Sequence, residues 1–287
     1  MKFTTASLTL LAALAAFPAP SAAQSPAPAT APAETQNLRA RLNNAIEELQ
    51  KKAIARGATR EDYQRVADQI TAAAKEYETL TPAIPSLRAR AAARIEDIET
   101  RARAGAVEAV EFDALRDHLV DMDLEIALGR LKAAALAGKF TRAEYQGFLG
   151  AWTARSTTAK AGNAELEAIT TRAKAALDSI EKRAKDAAKP ITEADVAPLA
   201  DLTAEYRTTF WVAVLEEKAL GKKATKADYD DVTSAVTASS GEEVAKKVAV
   251  RLEDLRKAAE GGRITREQFA ELKTMLVTRA RAAASGR

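Results

Sequence analysis

His118 is the only histidine in this chain of 287 residues, so any imidazole chemistry must pass through it. On a helix, His118, Asp121 and Glu125 stand at i, i+3 and i+7 and share one stripe. An imidazole and two carboxylates in that register are the residue types that hold a divalent metal, or that work as a general acid and base. The rest of such a site is missing. A di-iron bundle needs an acid three residues before the histidine, and that position is Leu115. His118, Asp121 and Glu125 are thus the metal candidates of the chain, but the expectation is a structural histidine, no metal and no cofactor.

Other chemistries leave fewer traces. There is no Cys, which removes thiol catalysis, thiolate metal sites and disulfides. No Gly-rich phosphate loop and no nucleophile elbow is present. The adjacent carboxylates Glu47-Glu48 and Glu216-Glu217 point apart on a helix and read as solvated faces. The joint around Gly262, Ile264, Thr265 and Phe269 echoes half of a calcium loop. The alternate positions before it hold Lys257, Ala259 and Gly261, which cannot ligate calcium through their side chains. Tyr206, Phe210 and Trp211 could line a groove, but Tyr206 and Phe210 fall on an apolar seam, so core packing is expected. No catalytic and no cofactor-binding residue is expected, and the protein reads as a non-enzyme.

What must position these residues is a set of helices. Residues 59–71, 141–153 and 225–237 read TREDYQRVADQIT, TRAEYQGFLGAWT and TKADYDDVTSAVT, an internal repeat of 82–84 residues. Each opens on a threonine with an acid three residues on, the capping box of a helix start. Thr59 with Asp62, Thr141 with Glu144, Thr192 with Asp195, Thr225 with Asp228 and Thr265 with Gln268 mark five such starts. Gly57, Gly138, Gly221 and Gly262 precede four of them and should close the previous helix in the left-handed conformation. With softer breaks at 81–85, 161–163 and 239–241, this predicts ten helices, near 36–56, 60–79, 86–104, 109–137, 142–160, 164–188, 193–220, 226–239, 242–260 and 266–284.

Apolar residues recur at 3-4 spacing, as in a coiled-coil seam. Phe112, Leu115, Leu119, Met122, Ile126, Gly129, Ala133 and Leu136 form one line, and Val120, Leu124, Ala127 and Leu131 a second on the same helix. That helix should be covered on more than one side. Tyr63, Tyr145 and Tyr229 open equivalent seams and should anchor the three units. The fold class expected is all-α: an N-terminal helix over 36–58, then repeats over 59–140, 141–224 and 225–287, arranged as an elongated row of bundles or an α-solenoid.

The start of the chain reads as a signal peptide over 1–23. Lys2 is its basic end, residues 6–17 are its apolar run, and Ser21-Ala22-Ala23 is its cleavage site. A Pro/Ala linker follows over 24–35. Export to a bacterial periplasm or the cell exterior is expected, with no transmembrane segment left after cleavage. Lys and Arg number 43 against 40 Asp and Glu, and the signs are interspersed, so the charges are expected on a solvated surface. The exception is the C-terminal run of Arg279, Arg281 and Arg287. A nucleic-acid partner is not expected.

Residues 252–277 (LEDLRKAAEGGRITREQFAELKTMLV) resemble the SHOCT domain, a short helical hairpin. Gly262, Ile264, Thr265, Phe269, Lys273 and Leu276 carry the likeness, and Gln268 stands where the family prefers Glu. The resemblance implies a hairpin with a role in self-association. The functional expectation is an exported, non-catalytic scaffold for a protein partner or for itself. The alternative is a binding module for an anionic surface: cell-wall polymer, lipid head groups or nucleic acid.

Overall fold

The structure, a computed structural model, describes residues 33–158, 163–186, 189–239 and 242–285, with side chains from Leu42 to Leu276. The proposed signal peptide and most of the linker lie outside these residues, as do Arg287 and the side chains of Arg279 and Arg281. The described residues form ten helices and no strand. These are α1 (Ala33–Ile54), α2 (Arg60–Lys75), α3 (Ala83–Arg103), α4 (Ala109–Leu136), α5 (Arg142–Thr158), α6 (Ala164–Ala184), α7 (Glu193–Leu220), α8 (Lys226–Ser239), α9 (Glu242–Glu260) and α10 (Arg266–Ser285). The fold is all-α, and no described helix is long and apolar enough to cross a membrane.

The boundaries differ from expectation where prolines and packing intervene. α1 begins at Ala33, so residues 33–35 are helical rather than linker; the last linker proline is Pro32, and Ala33-Glu34 are good helix formers. α3 takes Pro85 into its first turn, where the missing N–H is not needed. α2 stops at Lys75, four residues early, and tight turns follow, with Tyr77 N donating to Ala74 O and Leu80 N to Tyr77 O. The turn presses Leu80 and Thr81 onto α4 at Gly129. A Cβ on Gly129 would lie 2.9 Å from side-chain carbons of both.

The caps form as the sequence pattern predicts. The backbone N–H of Thr59, Thr141, Thr192, Thr225 and Thr265 donates to the side chain three residues on, at 2.8–3.0 Å. The closures need a correction. The left-handed residue is Gly138 (φ 65°) and Gly262 (φ 65°) as expected, but it is Arg56 (φ 58°) rather than Gly57, and Lys222 (φ 57°) rather than Gly221. Each closure pairs two amides with carbonyls of the last turn, as with Gly57 N to Lys52 O and Arg56 N to Ala53 O. That pattern fixes which residue turns left-handed, and in two joints the glycine sits one position away.

The helices close into four-membered bundles in chain order: α1–α4, α4–α7 and α7–α10. The second and third bundles each take three helices from their own repeat and borrow one from the repeat before, while α1 completes the first. The borrowed helices, α4 and α7, are the longest at 28 residues and carry buried residues on several sides. Phe112, Leu115, Leu119, Met122 and Ile126 of α4 join the core of the first bundle. Leu124, Leu128, Leu131 and Ala135 join the core shared by the second and third. This is the double coverage that the two apolar lines predicted, although the seam fades at Ala133 and Leu136, which are exposed. Tyr63, Tyr145 and Tyr229 are all buried.

The units are not laid end to end. α3 of the first bundle packs on α8 of the third. With α4 against α7, this closes a further ring, α3–α4–α7–α8, that no stretch of consecutive chain makes. The row is bent, and the candidate site lies in the bend.

Candidate functional site

The ring is filled with charge. α3 supplies Arg90 and Arg94, α4 supplies Asp117, His118, Asp121 and Glu125, and α5 adds Arg155 from the side. α7 supplies Arg207, Trp211 and Lys218, and α8 supplies Asp228 and Asp231. Arg94 and Arg155 are each 0% exposed, Asp231 1% and His118 2%.

Asp231 is the hub. Its Oδ1 lies 2.9 Å from His118 Nε2 and accepts from Arg90 Nε at 3.0 Å. Its other oxygen pairs with Arg94. Arg94 also donates to Asp228 Oδ1 at 3.0 Å, and Lys218 Nζ donates to the same oxygen at 2.7 Å. Asp228 thereby caps α8 and ties it to α3 and α7 at once. Burial pushes the carboxyl of Asp231 up, but His118, Arg94 and Arg90 outweigh it and hold the group well below the usual range. Burial likewise opposes ionisation of Asp228, and Arg94 and Lys218 prevail.

A second group surrounds Asp121. Trp211 Nε1 donates to its Oδ2 at 2.8 Å, and Arg155 Nε lies 2.7 Å from its Oδ1. Arg155 also donates to Asp117 at 3.0 Å, and its guanidinium sits 3.4 Å from the centre of the Phe210 ring. Here the balance tips the other way. Burial, with Arg155 opposing it and Asp121 adding to it, pushes Asp117 up to about 6. The third carboxylate, Glu125, accepts from Arg207 at 2.6 Å and from Thr81 Oγ1 at 3.3 Å.

The metal candidates are therefore buried but do not converge. His118 turns to Asp231, Asp121 to Trp211 and Arg155, and Glu125 to Arg207. Among the described residues no group of three or more His, Asp and Glu side chains could hold a metal ion. Trp211 stacks on His118 with ring centres 4.5 Å apart, and Tyr206, Phe210 and Trp211 are core residues.

His118 turns Nε2 to the carboxylate of Asp231, and its Nδ1 is buried with no hydrogen-bond partner among the described residues. A small cavity reaches His118, Asp231 and Arg90 and is also lined by Ser86 and Ser234. The two serine Oγ atoms lie 3.3 Å from each other. Neither bonds to the histidine, so the contact between nucleophile and base that serine catalysis requires is not made. The cavity measures about 10 Å³, room for about one water.

The expectation of a fully solvated charge pattern is thus corrected: Arg94, Arg155, Arg207, Asp121, Asp228 and Asp231 are interior. Two of these had a visible signal. Arg94 occupies a seam slot in Leu87, Ala91, Arg94, Ile98, and Arg155 continues the line of Tyr145, Phe148 and Trp152. A charge on a 3-4 stripe must either break the seam or find a buried partner. Asp228 and Asp231 give no such signal, because Asp228 is already accounted for as a cap.

Against known proteins, no family model, no curated protein and no solved structure matches the chain.

Proposed function

We propose that the protein is an exported, non-catalytic scaffold whose bent array of bundles presents a rigid, charge-studded surface to a protein partner, self-association included. One observation carries this reading: the charged residues inside the ring are matched to one another. Five acids meet five cations and His118, and the space left is that of about one water. Such a cluster holds helices in place and leaves no room for a substrate. The SHOCT-like segment falls on the α9–α10 hairpin, with its turn at 261–265, and it is the resemblance that implies a role in association.

A second reading, a site centred on His118, rests on its burial beside Asp231 from another helix. The unmet serine contact and the size of the cavity count against it.

The test is photo-crosslinking in cells that make the full chain, from exposed positions on α9 such as Val250, which is 65% exposed. A discrete protein adduct that recurs from neighbouring exposed positions is the expected result. Monomer alone from every exposed face overturns the scaffold reading. A turnover that His118→Ala abolishes while the helical signal and melting point persist would establish the second reading instead.

A further inference from the structure

Antiparallel neighbours bring alternate joints to the same end of the molecule. The joints after α1, α3, α5, α7 and α9 therefore share one end, and two contacts link those after α1, α3 and α7. Arg56 lies over the turn at Gly105, 3.4 Å from where a Cβ would stand. Lys223 Nζ lies 3.6 Å from Glu108.

This end is basic. Residues 55–61, 104–108, 163–165, 221–227 and 261–267 carry Arg56, Arg60, Lys222, Lys223, Lys226, Arg263 and Arg266 against Glu61, Glu108, Glu165 and Glu267. Arg56, Arg60, Lys222, Arg263 and Arg266 are exposed and have no ion pair within 4 Å among the described residues. At the opposite end the acids Glu76, Glu78, Asp186, Glu193, Glu242 and Glu243 outnumber Lys139, Arg142, Lys185 and Lys189. The whole chain is close to neutral at +3, so the asymmetry is one of placement. Two aliphatic side chains project among the cations: Ile54, the last residue of α1, is 49% exposed, and Val110, in the first turn of α4, is 39% exposed.

The geometry points to this end as a docking face for an anionic lipid bilayer. Unpaired cations within a Debye length of acidic head groups are attracted additively, and the effect falls with salt. Short aliphatic tips among them enter the head-group layer. A nucleic acid fits the face less well. None of the exposed large apolar side chains is aromatic, so a platform for stacking bases is missing among the described residues.

The experiment is co-sedimentation of the full chain with vesicles of phosphatidylcholine alone or with 30% phosphatidylglycerol, between low and physiological salt. Binding is expected only to the acidic vesicles and should fall at least tenfold as salt rises. The variant Arg60→Glu, Arg263→Glu, Arg266→Glu should lose that binding. Glu is favourable at the first helical positions 60 and 266, so the fold should persist, and circular dichroism checks it. The reversal Lys139→Glu, Lys189→Glu at the other end should leave binding unchanged. Ile54→Ser with Val110→Ser should weaken it severalfold without altering its salt dependence. Equal binding by the triple variant, equal binding to neutral vesicles, or tighter salt-sensitive binding to duplex DNA than to acidic vesicles would overturn the assignment.

Discussion

The first bundle and the ring beside it share α3 and α4 but are held together by opposite means. Inside α1–α4 the contacts are mostly apolar, with Glu111 paired to Arg101 beside them: Ile46, Val66, Ile70, Ile98, Phe112 and Leu115 are at most 1% exposed and need only to be covered. Inside α3–α4–α7–α8 the contacts are ion pairs. Chain order accounts for the contrast. In a bundle of consecutive helices, short joints already decide which helices meet, and a seam of Leu, Ile and Val has only to hold them. α3 and α8 have no joint between them, and His118 and Asp231 are 113 residues apart. An apolar face there would accept any other apolar face. A buried carboxylate facing two guanidiniums and an imidazole accepts one partner, because every misalignment leaves a charge buried and unmet. Our hypothesis is that the charges set the bend and the apolar cores supply most of the stability.

The comparison breaks first at Asp231. Asp231→Ala should cost about 3–5 kcal/mol in urea unfolding, since it strands Arg94, Arg90 and His118. Small-angle scattering should then show the first and third bundles moving apart while helix content stays high. A cost below 1 kcal/mol with an unchanged scattering curve would show that the bend does not depend on the charges.

Next is an anchor of a consecutive bundle. Tyr145 is buried on the seam of α5, and its hydroxyl donates to Asp178 at 2.6 Å. Tyr145→Ala should lower stability by about 3 kcal/mol through cavity formation. The shape of the remaining folded fraction should not change, in contrast with Asp231→Ala. A loss within measurement error would remove the tyrosines as anchors.

Asp117 sharpens the polar side of the comparison by its sign. Its pKa in the folded protein is raised to about 6, above the ordinary aspartate value of 3.8. The folded state therefore binds this proton more tightly than the unfolded chain does. The group costs nothing near pH 3, and its destabilising effect grows as pH rises from about 4 to 6. Asp117→Asn should raise stability at pH 7 by up to about 3 kcal/mol and change little at pH 3.5. Melting curves of both proteins across this window decide it; parallel pH profiles would mean that Asp117 is ionised without cost.

The smallest effect lies outside both cores. Arg56 and Lys222 hold the left-handed conformation at a cost that glycine avoids. Arg56→Gly and Lys222→Gly should each stabilise by about 1 kcal/mol, less the added freedom of the unfolded chain. Destabilisation by either would show that these side chains contribute at their joints.

Much of the fold was legible because the signals are local. A threonine with an acid three residues on must be satisfied within one turn, so Thr59, Thr192 and Thr225 announced their helices without reference to the rest of the chain. The seams of Tyr63, Tyr145 and Tyr229 were as plain. The candidate site was legible only in part. His118 stood out by being unique, yet its partner Asp231 lies in another repeat, among residues that resemble a solvated helix start. Which face of α8 meets α3 is decided by how three bundles bend, and no local pattern encodes that. The misplaced left-handed residues at 57 and 221 failed for a related reason: two amide-to-carbonyl bonds choose the position, and composition only marks the neighbourhood.

The shared helices have a consequence for how the molecule comes apart. α4 and α7 are party walls, and pulling either away exposes apolar surface in two bundles at once. Our hypothesis is that loss of either shared helix undoes two bundles together and so couples the three repeats in unfolding. Amide protons in the middle of α4 and α7 should exchange only through global opening. Those of α1 and α10, each a wall of one bundle alone, are where fraying begins.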